Sequence, residues 1–254
     1  VAPIASRIVQ RAILDILWSN PKIKKRVNNK NSFGGIEKRG VKEALIEVSK
    51  CIQKGYNYYI TSDISDFFQN INRQETNRVI FLLLHDETIN NLIEDSLRCE
   101  IINSTHKIIQ SHINLFPKDQ IGVLQGCCLS PLYGNIFLSE FDEEMNTLDG
   151  IRCIRYIDDF IILGKHQSKQ LKAFRKASKI LDKKGLRVYK LKEPGTKAMS
   201  GDVRRSPIEF LGCSIEKGRV RPLDKARKNL IRKIDECFKE SIAQMNNSKL
   251  DIPL

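Results

Sequence analysis

Asp63 stands near the end of a β-prone run, Tyr56 to Ile64, and Asp158-Asp159 lie between two further such runs in IRCIRYIDDFIILG (151–164). Adjacent aspartates within apolar flanks are costly, because burial and like charge both disfavour the ionised form unless something neutralises it. A divalent cation is the usual remedy, and Mg²⁺ takes hard oxygen ligands while keeping waters and substrate phosphates in its shell. Two ions about 3.5–4 Å apart activate an attacking hydroxyl and stabilise a leaving pyrophosphate in an in-line displacement, and three carboxylates on neighbouring strands suit that chemistry. In isolation an Asp-Asp pair reads first as a turn. The segments around it decide.

Those segments form an α+β pattern. Residues 151–164 read as a hairpin with both carboxylates at or near its tip, and 56–64 and 186–191 as further strands. Helices are expected at 6–18 with Ser6 as cap, 38–54, 73–85, 88–112, 130–148 opened by Ser130-Pro131, and 168–183 ended by Gly185. Asp66 reads as a cap. A second hairpin is expected over 208–221, then an amphipathic helix over 223–245 with Leu230, Ile231, Ile234, Phe238 and Ile242 on the face turned to the body.

The chain has 254 residues and a net charge of +13, which points to a polyanionic partner, nucleic acid before an acidic membrane surface. No apolar run reaches the roughly 20 residues of a membrane span, so a transmembrane protein is not expected, and with nucleic acid the favoured polyanion no membrane stands among the expected partners. The seven cysteines include no C-x-x-C pair, and several lie in apolar runs as reduced core thiols do, which fits the cytoplasm. Val1-Ala2-Pro3, without an initiator Met, reads as a segment of a longer chain.

Taken in order, the motifs resemble those of bacterial reverse transcriptases of the group II intron, retron and defence-associated kind. Tyr156-Ile157-Asp158-Asp159 matches the Y-x-D-D box, and Asp63-Ile64-Ser65-Asp66-Phe67-Phe68 the first catalytic motif. Gln125-Gly126 through Ser130-Pro131 to Asn135 resembles the Q-G-x-x-x-S-P-x-x-x-N block, and Gly185-Leu186-Arg187-Val188 through Lys192 the motif after the Y-x-D-D hairpin. Phe210-Leu211-Gly212 matches the F-L-G of the primer grip. Arg7-Ile8-Val9-Gln10 and Ser32-Phe33-Gly34-Gly35 resemble fingers segments.

The resemblance implies a right-hand polymerase: an antiparallel palm sheet packed on helices, with mostly helical fingers. Fingers are expected at 1–55 and 72–120, palm at 56–71 and 121–222, and the start of a thumb at 223–254, with the fingers hairpin that grips the triphosphate upstream of residue 1. It implies an RNA template, a DNA or RNA primer and dNTPs as partners. Asp63, Asp158 and Asp159, with the Ile64 carbonyl, are the implied ligands of two Mg²⁺. Phe68 takes the position of the gate against a ribose 2′-OH, with one of the Phe67 and Phe68 rings in the core. Gln125 and Gly126 line the nucleotide pocket, Tyr156 packs near the primer terminus, and Arg7 faces template or triphosphate. Lys192 is the implied general acid for pyrophosphate departure, with Lys190 as competitor; Tyr189 stands where intron-type enzymes carry Asn. Alternatives of the same fold are protein-primed or untemplated synthesis, a dedicated non-coding RNA in anti-phage defence, and a non-catalytic RNA-binding scaffold.

Overall fold

The computed structural model describes residues 3–98, 107–111, 113, 116–118 and 120–247. Along the chain run α1 (Ile4–Ser19), α2 (Pro21–Val27), β1 (Ser32–Phe33), α3 (Val41–Gln53), β2 (Tyr58–Ser65), α4 (Phe67–Asn70), α5 (Arg73–Leu84), α6 (Glu87–Leu97) and α7 (Lys107–Ser111). Then follow α8 (Ser130–Phe137), α9 (Ser139–Asn146), β3 (Ile151–Tyr156), β4 (Asp159–Gly164), α10 (Gln167–Lys183), β5 (Arg187–Val188), β6 (Met199–Asp202), β7 (Ile208–Phe210), β8 (Cys213–Glu216), β9 (Arg219–Pro222) and α11 (Asp224–Asn247). The middle of the expected 88–112 helix, and Cys99, lie outside the described residues. No described helix is long and apolar enough to cross a membrane.

The central sheet has the order β1-β3-β4-β2-β5, with β6 on the same edge of β2 as β5. Alternation along the strands sends side chains to two cores. Ile60, Ile64, Phe160 and Ile162 join one beneath α8, α9 and α10. Tyr59, Ile161 and Leu163 join the other, with Ala44, Leu45 and Val48 of α3 and with Ile208 and Ile215 of the β7-β8 hairpin.

Helix starts follow local chemistry: Asn20 accepts from the amides of Lys22 and Ile23 ahead of α2, Asn72 from Glu75 ahead of α5, and Asp86 from Ile89 ahead of α6. Ser6 is no cap, for α1 begins two residues earlier behind Pro3. The expected 130–148 helix is two, meeting at Leu138 (φ −93, ψ 2). There the Ser139 hydroxyl donates to the Ile136 carbonyl at 2.7 Å, a back-bond that bends helices. The strand expected at 186–191 shrinks to β5, and the second hairpin gains β9 as a third strand.

The largest departure is α11, whose apolar face does not turn to the body. Leu230, Ile231, Ile234, Phe238 and Ile242 are all exposed. The helix joins the body through β9, where the Leu223 amide donates to the Gly212 carbonyl at 2.9 Å.

Gly134 of α8 makes room for Phe67. A Cβ there would lie 2.8 Å from Phe67 Cε1 and 3.0 Å from Cζ. Gly134→Ala gains about 1 kcal/mol of helix propensity but overpacks a core in which such insertions cost about 1–3 kcal/mol. Because the Phe67 ring is 2 % exposed, packing wins. The expected net loss is about 1 kcal/mol in urea denaturation; an unchanged midpoint would show that the ring has room to move.

Candidate active site

The strand register brings two of the three aspartates together. In the β2–β4 pair Asp63 stands directly opposite Asp159, and in the β3–β4 hairpin Tyr156 stands opposite Asp159, leaving Ile157 and Asp158 as the turn. Asp158 is tied in by its carbonyl, which accepts from the Ile64 amide at 3.2 Å. Asp63 and Asp159 share the parity of Tyr59 and Ile161, so they face the α3 side of the sheet, opposite α10.

Burial pushes the carboxyls of Asp158 and Asp159 above the usual range, and the neighbouring Asp63 adds to it. For Asp159, which also feels Asp158, the value reaches about 6. Asp63 Oδ2 accepts from Lys197 Nζ at 2.9 Å, whereas Oδ1 is buried without a hydrogen-bond partner. That salt bridge holds the Lys197 ammonium above its ordinary value, and its Nζ lies 5.2 Å from the centroid of the Tyr189 ring. Among the described residues no three His, Cys, Asp or Glu side chains stand grouped as metal ligands. The donor chemistry nonetheless fits a divalent cation: hard oxygens, one of them orphaned, in carboxylates that repel one another.

The turn carrying Asp158 is strained and heavily braced. Ile157 has φ +58, a conformation that a β-branched residue adopts only under constraint. Its amide donates to the Phe33 carbonyl at 3.2 Å, and its side chain lies against Gly34, where a Cβ would come within 2.8 Å of Ile157 Cγ1. Gly34 itself has φ +78, so only glycine serves there without strain. The loop is set by β1, which pairs in parallel with β3 (Ser32 opposite Arg155, Phe33 opposite Tyr156). The Ser32-Phe33-Gly34-Gly35 segment thus buttresses the aspartate turn.

At the centre of that brace lies Arg155, which belongs to none of the sequence motifs. Its side chain is 1 % exposed and that of its partner Asp142 is 5 % exposed. All five guanidinium donors are used. Nε and Nη2 grip both carboxylate oxygens of Asp142, Nη2 also reaches Ser32 Oγ (2.7 Å), and Nη1 reaches Asn135 Oδ1 (3.1 Å) and the Ile157 carbonyl (2.7 Å). Asn135 in turn donates to the Gly34 carbonyl at 3.0 Å. The sequence signal was available: Arg155 shares the parity of Ile151 and Cys153, a charge on the apolar side of a strand.

The other expected residues fall as follows. Phe67 is buried and Phe68 half-buried, their ring centroids 5.2 Å apart, so Phe67 is the core ring. Asp66 does not cap α4 with its side chain, which accepts from Ser65 Oγ at 2.9 Å; its backbone sits at φ +50 instead. Gln125 and Gly126 are exposed, with open space where a Gly126 side chain would point. Ser130 opens α8, its hydroxyl on the Leu124 carbonyl at 2.6 Å. Tyr156 is half-buried beside Gly34. Lys192 is exposed at a positive-φ turn and Lys190 lies 3.8 Å from Glu193, whereas Lys197 of the same segment reaches Asp63. Phe210 is buried, and Leu211 (φ +49) and Gly212 (φ +74) form a two-residue turn of the kind that suits a twisted hairpin. Arg7 is exposed on α1.

This fold, with its carboxylates on a β-hairpin turn and the opposing strand, is that of a right-hand polymerase. Residues 1–215 match the family described as reverse transcriptase (RNA-dependent DNA polymerase), and the chain belongs to that family. Protein YkfC of Escherichia coli K12 is 23 % identical over 214 residues, 69 % of this chain and 52 % of YkfC, so the chain spans about half the length of that curated relative. Among solved structures, apo telomerase of Candida tropicalis truncated from its C-terminal domain superposes with a TM-score of 0.53 at 16 % identity, covering 84 % of this chain and 45 % of that one. Telomerase of the same organism with a fragment of telomeric RNA gives 0.55 at 17 % identity, over 85 % and 36 %.

Proposed function

We propose that the chain carries the catalytic palm of an RNA-directed DNA polymerase, which extends a primer 3′-OH with dNTPs along an RNA template. The observation that carries this reading is the register of Asp63 against Asp159 beside Asp158 at the turn. Asp63, Asp158, Asp159 and the Ile64 carbonyl would hold two Mg²⁺, which when bound supply activation of the 3′-OH and stabilisation of the departing pyrophosphate. The division into fingers (1–55 and 72–120), palm (56–71 and 121–222) and start of a thumb belongs to the same proposal.

The chain's own residues do the rest. Phe68 excludes the ribose 2′-OH, Gln125 and Gly126 line the nucleotide pocket, and the Phe210-Leu211-Gly212 turn supports the primer beside Tyr156. Lys192, the implied proton donor to the leaving group, lies on the same segment as Lys197. Arg7 faces the incoming template or triphosphate. The test is extension of a primer on an RNA template with dNTPs and Mg²⁺, by the wild type and by Asp158→Asn/Asp159→Asn. Extension lost in the variant supports the reading. RNA binding without extension in either protein would favour the scaffold.

Phe68→Val tests the gate. The smaller side chain is expected to lower discrimination between dNTP and rNTP by about 10–200-fold, the range that a change of pocket size commands. Single-nucleotide incorporation measures it, and unchanged discrimination would return Phe68 to a packing role beside Phe67.

A further inference from the structure

We propose that the outer face of α10 is a second nucleic-acid contact, one that binds the phosphates of a strand along the back of the palm. The helix carries Lys169, Lys172, Arg175, Lys176, Lys179 and Lys183 with one acidic residue, Asp182. Their spacing of three and four residues puts them on one side of the helix, away from the buried Ala173, Phe174, Ala177 and Leu181. The stripe runs for about 21 Å at the α-helical rise, roughly six nucleotide steps of one strand in a duplex.

A helix face that is merely solvated alternates its charges, because opposite signs three or four apart support the helix and like signs oppose it. Here the neighbouring pairs Lys169–Lys172, Lys172–Lys176, Arg175–Lys179 and Lys179–Lys183 are all repulsive. Only the inner rim is neutralised, Lys169 by Asp149 at 3.0 Å and Lys176 by Glu144 at 3.5 Å. Lys172, Arg175, Lys179 and Lys183 are exposed, and none has an ion-pair partner among the described residues. A regular row of unpaired cations complements a regular row of phosphates, as an irregular acidic protein surface does not.

The position separates this contact from the catalytic cleft. α10 packs on the sheet face of Phe160 and Ile162, whereas Asp63 and Asp159 face the opposite side. The row ends near β5, whose Arg187 is exposed and pairs with Ser65 beside the catalytic end of β2. A strand on this face therefore passes behind the palm and does not occupy the primer–template path.

The test measures binding of a fluorescent 30-nucleotide RNA over a salt series, with no nucleotides present, so that failure of catalysis leaves the result untouched. Lys172→Gln/Arg175→Gln/Lys179→Gln/Lys183→Gln is compared with a variant of equal net charge, Lys38→Gln/Lys42→Gln/Lys54→Gln/Lys217→Gln. The slope of log K against log salt is expected to flatten by about 3 in the α10 variant, at about 0.7 for each single-strand phosphate contact, and to change little in the control. Equal flattening in both would reduce the effect to net charge and overturn the proposal, as would an unchanged slope. In the wild type, RNA should also protect the same lysines from acetylation; full labelling of α10 under saturating RNA would overturn it without any variant.

Discussion

Asp159→Asn is expected to lower primer extension by about 10³-fold or more, the scale on which several kcal/mol of transition-state charge stabilisation acts. The same variant should be more stable than the wild type when no divalent cation is present. Burial beside Asp63 and Asp158 raises the Asp159 carboxyl to about 6, above the ordinary carboxylate value near 3.9 that it regains on unfolding. A carboxyl raised on folding favours the folded state below its unfolded value, and that contribution is lost as pH rises towards and through the folded value. Asparagine escapes the loss. Discounted for the solvent that reaches the site, the difference at pH 7.5 is about 1 kcal/mol, or about 2–4 °C in melting temperature. The gap between the two proteins should therefore open between about pH 4 and pH 6.5. Thermal melts across that range, with and without Mg²⁺, measure it. Mg²⁺ should raise the wild-type curve at neutral pH and leave the variant nearly unmoved. A variant that extends primers within tenfold of the wild type would remove Asp159 from the chemistry.

Arg155→Met is expected to cost about 3–5 kcal/mol, the penalty for leaving Asp142 charged, buried and alone. Asp142→Leu in the same chain should restore most of that stability, since well-packed apolar residues replace a buried ion pair at little cost. Activity should not return with it. The double variant still lacks the donor to the Ile157 carbonyl and to Asn135, and with them the brace on the turn that carries Asp158. A displacement of about 1 Å in such a turn costs about 10²-fold. Denaturation midpoints and extension rates, taken on the single and double variants, separate the two effects. Near wild-type extension in the refolded double variant would make Arg155 a packing residue only.

The long β-branched runs made β2, β3 and β4 legible in the sequence, and with them the meeting of Asp63 and the Asp158-Asp159 pair. Period-two alternation with a two-residue turn admits few other registers. What escaped was short or decided at long range. β1 is two residues and β6 is Met-Ser-Gly-Asp, with no strand signature of their own; each exists because a neighbouring strand offers it an edge. The break at Leu138 hid under a continuous apolar stripe and rests on one serine hydroxyl. Lys197 outreaches Lys192 because the loop between them doubles back, with Thr196 Oγ1 on the Lys190 carbonyl at 2.7 Å, which no local pattern announces. The apolar face of α11 is plain in the sequence, but its direction is not, since periodicity tells that a face exists and not what it meets.

The pairing of β1 with β3 also governs when the protein can become itself. Ser32 and Arg155 are 123 residues apart, and contacts of such separation close late because the intervening chain must first be ordered. During synthesis from the N-terminus, β2 emerges long before β4, its partner on one side, and β5 and β6, its partners on the other. Until Ile151–Gly164 arrives, Asp63 sits on an unpaired Tyr- and Ile-rich strand with both edges open, the kind of segment that invites intermolecular pairing. Chains that stop short of the hairpin, fourteen residues from Ile151 to Gly164, leave those edges uncovered and are expected to aggregate more readily than chains that include it.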